Sequence, residues 1–329
     1  MRPGAALFRR VTGAAVMAGL AACTTPSIAP PAAPVPVAPP EAIPRPAPQA
    51  SDESKALTAR YSGLESDLLS RGLLRTDGGG IDTPFDARIL AKNFIQVALY
   101  DEYVPGSSGL IARETASRLR RWQDPVRLSM EFGSTVPDTQ KRKDMADVQA
   151  LVRDLVSASD HPISVSDDQP NFVVLVINED ERQAIAPRLR ALIPGISADV
   201  IQTVTTMPPT TFCMVIAFSS DDSPYIYRRA VSIVRAEHPS KLRASCFHEE
   251  ITQGMGLAND SPVARPSIFN DDEEFALLTK QDRLMLTILY DPRLSPGMTR
   301  AQAEPIVKQI ANELLPPQTL SSFHEARES

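Results

Sequence analysis

The chain has 329 residues, with 34 lysines and arginines against 40 aspartates and glutamates, for a formal charge of -6. That acidic balance gives no electrostatic footprint for nucleic acid or for anionic lipid headgroups, and both are set aside as partners. Three cysteines are too few for a structural zinc site.

Arg2, Arg9 and Arg10 precede an apolar run from Val11 to Leu20, which ends in Leu20-Ala21-Ala22-Cys23. A basic end, a short apolar segment and small residues at a cut form a secretory signal over residues 1–22. The run is shorter than the roughly 20 apolar residues of a membrane span. Leu-Ala-Ala-Cys resembles the lipobox read by the lipoprotein signal peptidase, so Cys23 is the expected site of lipidation, with an ordinary Ala-x-Ala cut as the alternative. Two or three acyl chains, at about 0.8 kcal/mol per buried methylene, would hold such a chain firmly at a membrane. Thr24, rather than Asp, after the cysteine matches the pattern sent to the outer membrane. The expected location is therefore the cell envelope, on the periplasmic side, with the outer membrane favoured over the inner. Removing the signal takes away three arginines and no acid, leaving -9. The rest of 23–50 is mostly proline and alanine, which cannot bury a core and stays extended at about 3.1 Å per residue, as a tether.

After the tether, helical and strand patterns alternate, which points to an α+β architecture. Leu57, Tyr61, Leu64 and Leu68 predict an amphipathic helix over 51–74. Asp82-Thr83-Pro84 reads as the start of a second, running to about Tyr103. These make 51–121 a helical preface to a main domain over 122–300, with a helix and tail over 301–329. Pro125 to Phe132 alternates as a strand, and Ala146 to Val156 follows as a helix. Asn171 to Ile177, Phe212 to Phe218 and Tyr225 to Val234 are apolar runs of strand length, the first suited to a buried central strand. Lys241 to Gly254 returns to helical spacing. Cys213 and Cys246, in a chain bound for an oxidising compartment, are expected to bridge, with two buried free thiols the alternative. The loop of about 33 residues would be worth roughly 4 kcal/mol.

The segment carrying chemistry runs from Cys246 to Asp260: C-F-H-E-E-I-T-Q-G-M-G-L-A-N-D. Metzincin proteases use H-E-x-x-H-x-x-G-x-x-H, in which histidines one helical turn apart hold zinc and the intervening glutamate is the base. With Gly256 on the motif glycine, Glu249 and Gln253 fall at the helical ligand positions, Glu250 at the base and Asn259 at the third ligand. The spacing matches, and all three histidines are replaced. Starting the motif at His248 puts Thr252 at the second ligand and loses the glycine. His161, His238 and His324 are scattered. Ser267-Ile268-Phe269-Asn270 sits where metzincins place their Met-turn, with Phe269 for the methionine. Leu278-Thr279-x-x-Asp282 to Leu289-Tyr290 is similar to the closing helix of matrix-type metalloproteases. From Trp122 to about Met298 the chain resembles an uncharacterised family of bacterial lipoproteins, domain of unknown function 2927. The resemblance implies a zincin-like fold, a mixed sheet with a motif-bearing helix, and supplies no reaction.

Glu249 and Gln253, four apart on a helix, share a face. A carboxylate and two amides are poor zinc ligands, so no cofactor is expected. The alternative is a harder divalent metal held through oxygen by Glu249, Gln253, Asn259 and Asp260. Glu250 is the catalytic candidate, weighed against a structural hydrogen-bonding role. Asp271-Asp272-Glu273-Glu274 reads as a solvated face or a helix start, and Met255, Phe269 and Met285 as core. The function expected is a tethered, non-catalytic, metallopeptidase-like domain that binds a protein or cell-envelope component. An oxygen-liganded hydrolase and a purely structural envelope lipoprotein are the alternatives.

Overall fold

A computed structural model describes residues 49–106 and 109–316, with the backbone alone between 102 and 114. The signal segment, Cys23, nearly all of the tether and His324 lie outside the described residues. The elements in chain order are α1 (Asp52–Ser70), α2 (Ala87–Ala98), β1 (Tyr100–Gly106), β2 (Gly109–Ala116), β3 (Arg121–Trp122), β4 (Val126–Phe132), α3 (Asp138–Ser159), β5 (Ile163–Val165) and β6 (Phe172–Ile177). They continue through α4 (Glu179–Gln183), α5 (Ala186–Leu192), α6 (Ala198–Thr205), β7 (Cys213–Ser220), β8 (Ser223–Arg235), α7 (Ser240–Gln253), α8 (Lys280–Tyr290) and α9 (Arg300–Leu314). The architecture is α+β. No described helix is long and apolar enough to cross a membrane.

β5, β4, β6 and β8 form a parallel sheet in that order, and the two residues of β3 add to the first half of β8. β7 runs antiparallel along β8, and no described strand pairs with its other edge. Period-two alternation explains why β6 is apolar throughout. Phe172, Val174 and Val176 face the larger core, built with α2, α3, α7, α8 and α9. Val173, Leu175 and Ile177 face a smaller one with Leu189, Ile193, Ile201 and Val204 of the α5–α6 region. A strand covered on both faces has no position for a polar side chain. The short helices α4 to α6, absent from the sequence reading, supply the second cover.

Two expectations are corrected. The second helix starts at the Asp86 cap, whose carboxylate accepts from the Ile89 amide at 2.7 Å, rather than at Asp82-Thr83-Pro84. Thr83 instead closes a turn with Gly80. The helix ends at Ala98, and the chain then forms the β1–β2 hairpin, so 51–121 is only partly helical. Leu90, Phe94 and Val97 of α2 are fully buried against the main core, where α2 packs on α9. α3 is also longer than its apolar positions suggested, because Pro137 starts it and a left-handed Asp160 ends it.

Two buried ion pairs fix what surrounds the motif helix. Arg243 of α7 meets Asp144 of α3 at 2.8 Å. Arg235, at the end of β8, pairs with Glu179 and donates to the carbonyls of Met207, Pro208 and Thr211, which pins the loop leading into β7.

Candidate functional site

The helix α7 ends at Gly254, and the chain turns sharply at Gly256. A Cβ on Gly254 would lie 2.5 Å from the Phe172 ring, and Gly256 has φ +125 with a Cβ position 2.3 Å from the Arg120 carbonyl oxygen. Both positions therefore require glycine, the second for its backbone angle as well. The turn is clamped from outside. Trp122 Nε1 donates to the Gly254 carbonyl at 2.8 Å, and Tyr290 Oη donates to that of Met255 at 3.0 Å.

This turn brings distant residues around one cavity of about 470 Å³. Glu249, Glu250 and Gln253 border it from α7, and Ala258 and Asp260 from the chain beyond the turn. Phe212 and residues Cys213 to Ala217 form the opposite wall. Consecutive residues of a strand point to alternate faces, so a wall made of five in a row is the strand's edge. Glu249 is half-buried and Glu250 is 4% exposed. Gln253 Nε2 donates to Asp260 Oδ1 at 2.7 Å. Asn259 turns elsewhere: its side chain donates to the Gln96 carbonyl and its amide to that of Val97, each at 3.0 Å, and it does not line the cavity. Of the proposed ligand positions, the fold gathers Glu249, Gln253 and Asp260, and ties Asn259 to the last turn of α2.

Cys213 and Cys246 are joined in a disulfide, which fastens β7 to α7 one turn before Glu249. Cys213 Sγ and one oxygen each of Glu249 and Glu250 lie within 4.8 Å of one another, close enough to share a metal ion. The sulfur is engaged in the disulfide and offers no thiolate. His248 accepts from the Leu278 amide at 3.0 Å and borders a separate cavity, with burial pushing its imidazole down to about 4. Without imidazole or thiolate, the donor set does not fit zinc.

Residues that the motif did not indicate complete the cavity. Arg120 holds Asp101 through two bonds of 2.8 and 2.9 Å at one end. Glu273 enters from the loop before α8 with φ +60. Burial, then the neighbouring Asp272 and Asp271, push its carboxyl up to about 7. The acidic run is thus neither a helix start nor uniformly solvated: Glu274 is buried and paired with Arg75 and Arg265, while Glu273 faces the cavity. No spacing rule connects Asp101, Arg120 and Glu273 to α7, since each comes from a different loop or strand. Five carboxylates (Asp101, Glu249, Glu250, Asp260, Glu273) and one guanidinium make the cavity strongly acidic.

Met255, Phe269 and Met285 are fully buried. The segment at Phe269 is tied to α8 through Asp282, which accepts from Ser267 Oγ at 2.6 Å and from the Thr279 amide at 2.8 Å. His161 bonds the Asp124 carbonyl, and His238 lies 3.7 Å from Cys246 Sγ.

The sequence profile described as "Protein of unknown function (DUF2927)" matches residues 87–309, well over half of the chain. The chain belongs to the DUF2927 family. The match begins at α2 and reaches into α9, wider than Trp122 to Met298, in keeping with the packing of α2 on α9 and the tie from Asn259 to α2. No curated protein and no solved structure matches this DUF2927 chain.

Proposed function

We propose that this DUF2927 protein is a lipid-tethered binding module whose zincin-like domain takes an extended segment of a protein or envelope component into the cavity beside α7, without catalysis. The observation that carries the reading is the wall from Cys213 to Ala217: an open strand edge facing the motif helix across a cavity. An open edge offers unpaired amides and carbonyls to an incoming strand. The mixed sheet, the helix bearing E-E-x-x-Q and the glycine turn after it support the zincin-like assignment. The lipobox ending at Cys23 supports the tether, and the disulfide suits an oxidising compartment. The replaced histidines argue against peptidase chemistry, because a zincin base works on metal-bound water.

A photo-crosslinking residue at Ile216, compared in living cells with the same probe at the exposed Val263, tests the reading. A discrete partner should be captured at Ile216 alone, and a synthetic segment of that partner should then bind the purified protein. Equal capture from both sites would refute cleft binding. Peptide hydrolysis that is lost in Glu250→Gln would replace the binding module with an enzyme.

A further inference from the structure

A second cavity, of about 520 Å³, runs between α2 and α9, away from the motif helix. Both walls are laid down at helical spacing: Arg88 and Lys92 on α2, and Arg300, Glu304 and Lys308 on α9. Residues four apart on a helix share a face, so each wall presents one continuous charged row. Between the rows the floor is apolar, with Ala91 and Ile95 buried beneath it. Alanine at 91 keeps the floor low, so the groove remains open instead of filling with a larger side chain.

The charge of this groove is opposite to that of the chain. Four cations line it against one carboxylate, whereas the whole protein carries -6. Glu304 is already shared, held by Arg300 at 3.1 Å and by Lys308 at 2.8 Å. Arg88 reaches only the exposed Asp86, at 3.9 Å, and Lys92 has no ion pair among the described residues. Net charge excludes a broad basic surface and says nothing of a local one. Like charges along a narrow apolar groove repel one another, and an anion placed between them removes that cost.

We propose that the α2–α9 groove binds an anionic amphiphile: a slender acyl chain on the alanine floor, with a carboxylate or phosphate head held by Arg88, Lys92 and Lys308. Size argues for a slender ligand over an acidic helix. A helix about 10 Å across fills roughly 420 Å³ per turn, so the groove would hold little more than a single turn. Its volume falls instead in the usual range of small-molecule sites, about 300–1,000 Å³.

The test uses the full chain in phosphatidylcholine nanodiscs and a laurate analogue bearing a photoreactive diazirine, with labelled peptides mapped by mass spectrometry. Label should fall on α2 and α9, be displaced by laurate and not by acetate or decyltrimethylammonium, and drop at least tenfold in the Lys92→Glu/Lys308→Glu variant. Both positions are exposed, so the fold should hold; unchanged circular dichroism and melting temperature confirm it, and Ala91→Leu, which fills the floor and keeps the charges, should lose label as well. Displacement by phosphatidylglycerol added to the disc would mark a lipid as the source, and displacement by soluble laurate alone a free fatty acid. Displacement by acetate would reduce the groove to a simple anion site, and displacement by decyltrimethylammonium to an apolar one; either overturns the proposal. So do label spread over the whole surface and an undiminished signal in both variants. Label that appears only after truncation beyond residue 316 would show the groove to be filled by the chain's own end, which overturns it too.

Discussion

Two acidic regions flank the motif helix, and they use the same chemistry to different ends. At Asp282 a carboxylate is fully buried and receives Ser267 Oγ, the Ile268 amide and both the amide and hydroxyl of Thr279. Glu249, Glu250, Asp260 and Glu273 line one cavity. Burial pushes the carboxyls of Asp282 and Glu273 upward alike. Asp282 is surrounded by donors that tie the Ser267–Ile268 turn and the Thr279 cap to α8, whereas Glu273 is crowded by other acids. The first region is a structural joint. The second gathers acidic side chains around a cavity.

The sharpest way to break this contrast is to cut the cavity wall loose. Replacing both cysteines, Cys213→Ala with Cys246→Ala, should cost roughly 4 kcal/mol by the loop-closure argument, measured by urea unfolding of the oxidised parent and the variant. A cost under about 1 kcal/mol would mean that β7 is held by its pairing to β8 alone. Next, Asp282→Ala should cost about 3 kcal/mol, since it strands the Ser267 hydroxyl and the amides of Ile268 and Thr279 in the interior. Were Asp282 only a surface-like acid, the loss would stay within about 0.5 kcal/mol.

Glu273 offers a test by pH. Its carboxyl is held near 7 in the fold against about 4.5 when free, so the native state favours the protonated form. That preference contributes fully below about pH 4.5 and is lost as pH rises through 7. Glu273→Gln stays neutral throughout. Its melting temperature, compared with that of the parent, should gain between pH 5 and pH 8; a constant difference would place Glu273 in ordinary solvent. The smallest effect is expected from Gln253→Glu, which sets a carboxylate against Asp260 in place of the 2.7 Å bond. A loss of about 1 kcal/mol at pH 8, relieved at pH 5, would confirm that the two side chains share the cavity rim.

Much of this was readable in advance where pattern and packing coincide. The apolar run over β6, the helix α7, the Cys213–Cys246 bridge and the common face of Glu249 and Gln253 all follow from local periodicity or from simple pairing. Asn259 shows the limit. Its spacing offered it as a ligand, yet its side chain is drawn to the Gln96 carbonyl, a partner 163 residues away. Glu273 and Asp101 were hidden for the same reason, since strand and loop connections bring them to the cavity. The β1–β2 hairpin was masked because its first residues continued the apolar spacing of α2. The short helices α4 to α6 carry too few turns for a periodic signal.

The covalent link between the edge strand and the motif helix limits how far the cavity beside α7 can widen. The two facing walls are tied together at Cys213 and Cys246, so a segment taken in as proposed would gain no room by peeling that end of β7 away from α7. Ala258, Asp260 and Glu273, which line the cavity from beyond the glycine turn, stand outside that link, and in the proposed binding mode selectivity for bulk would be set there.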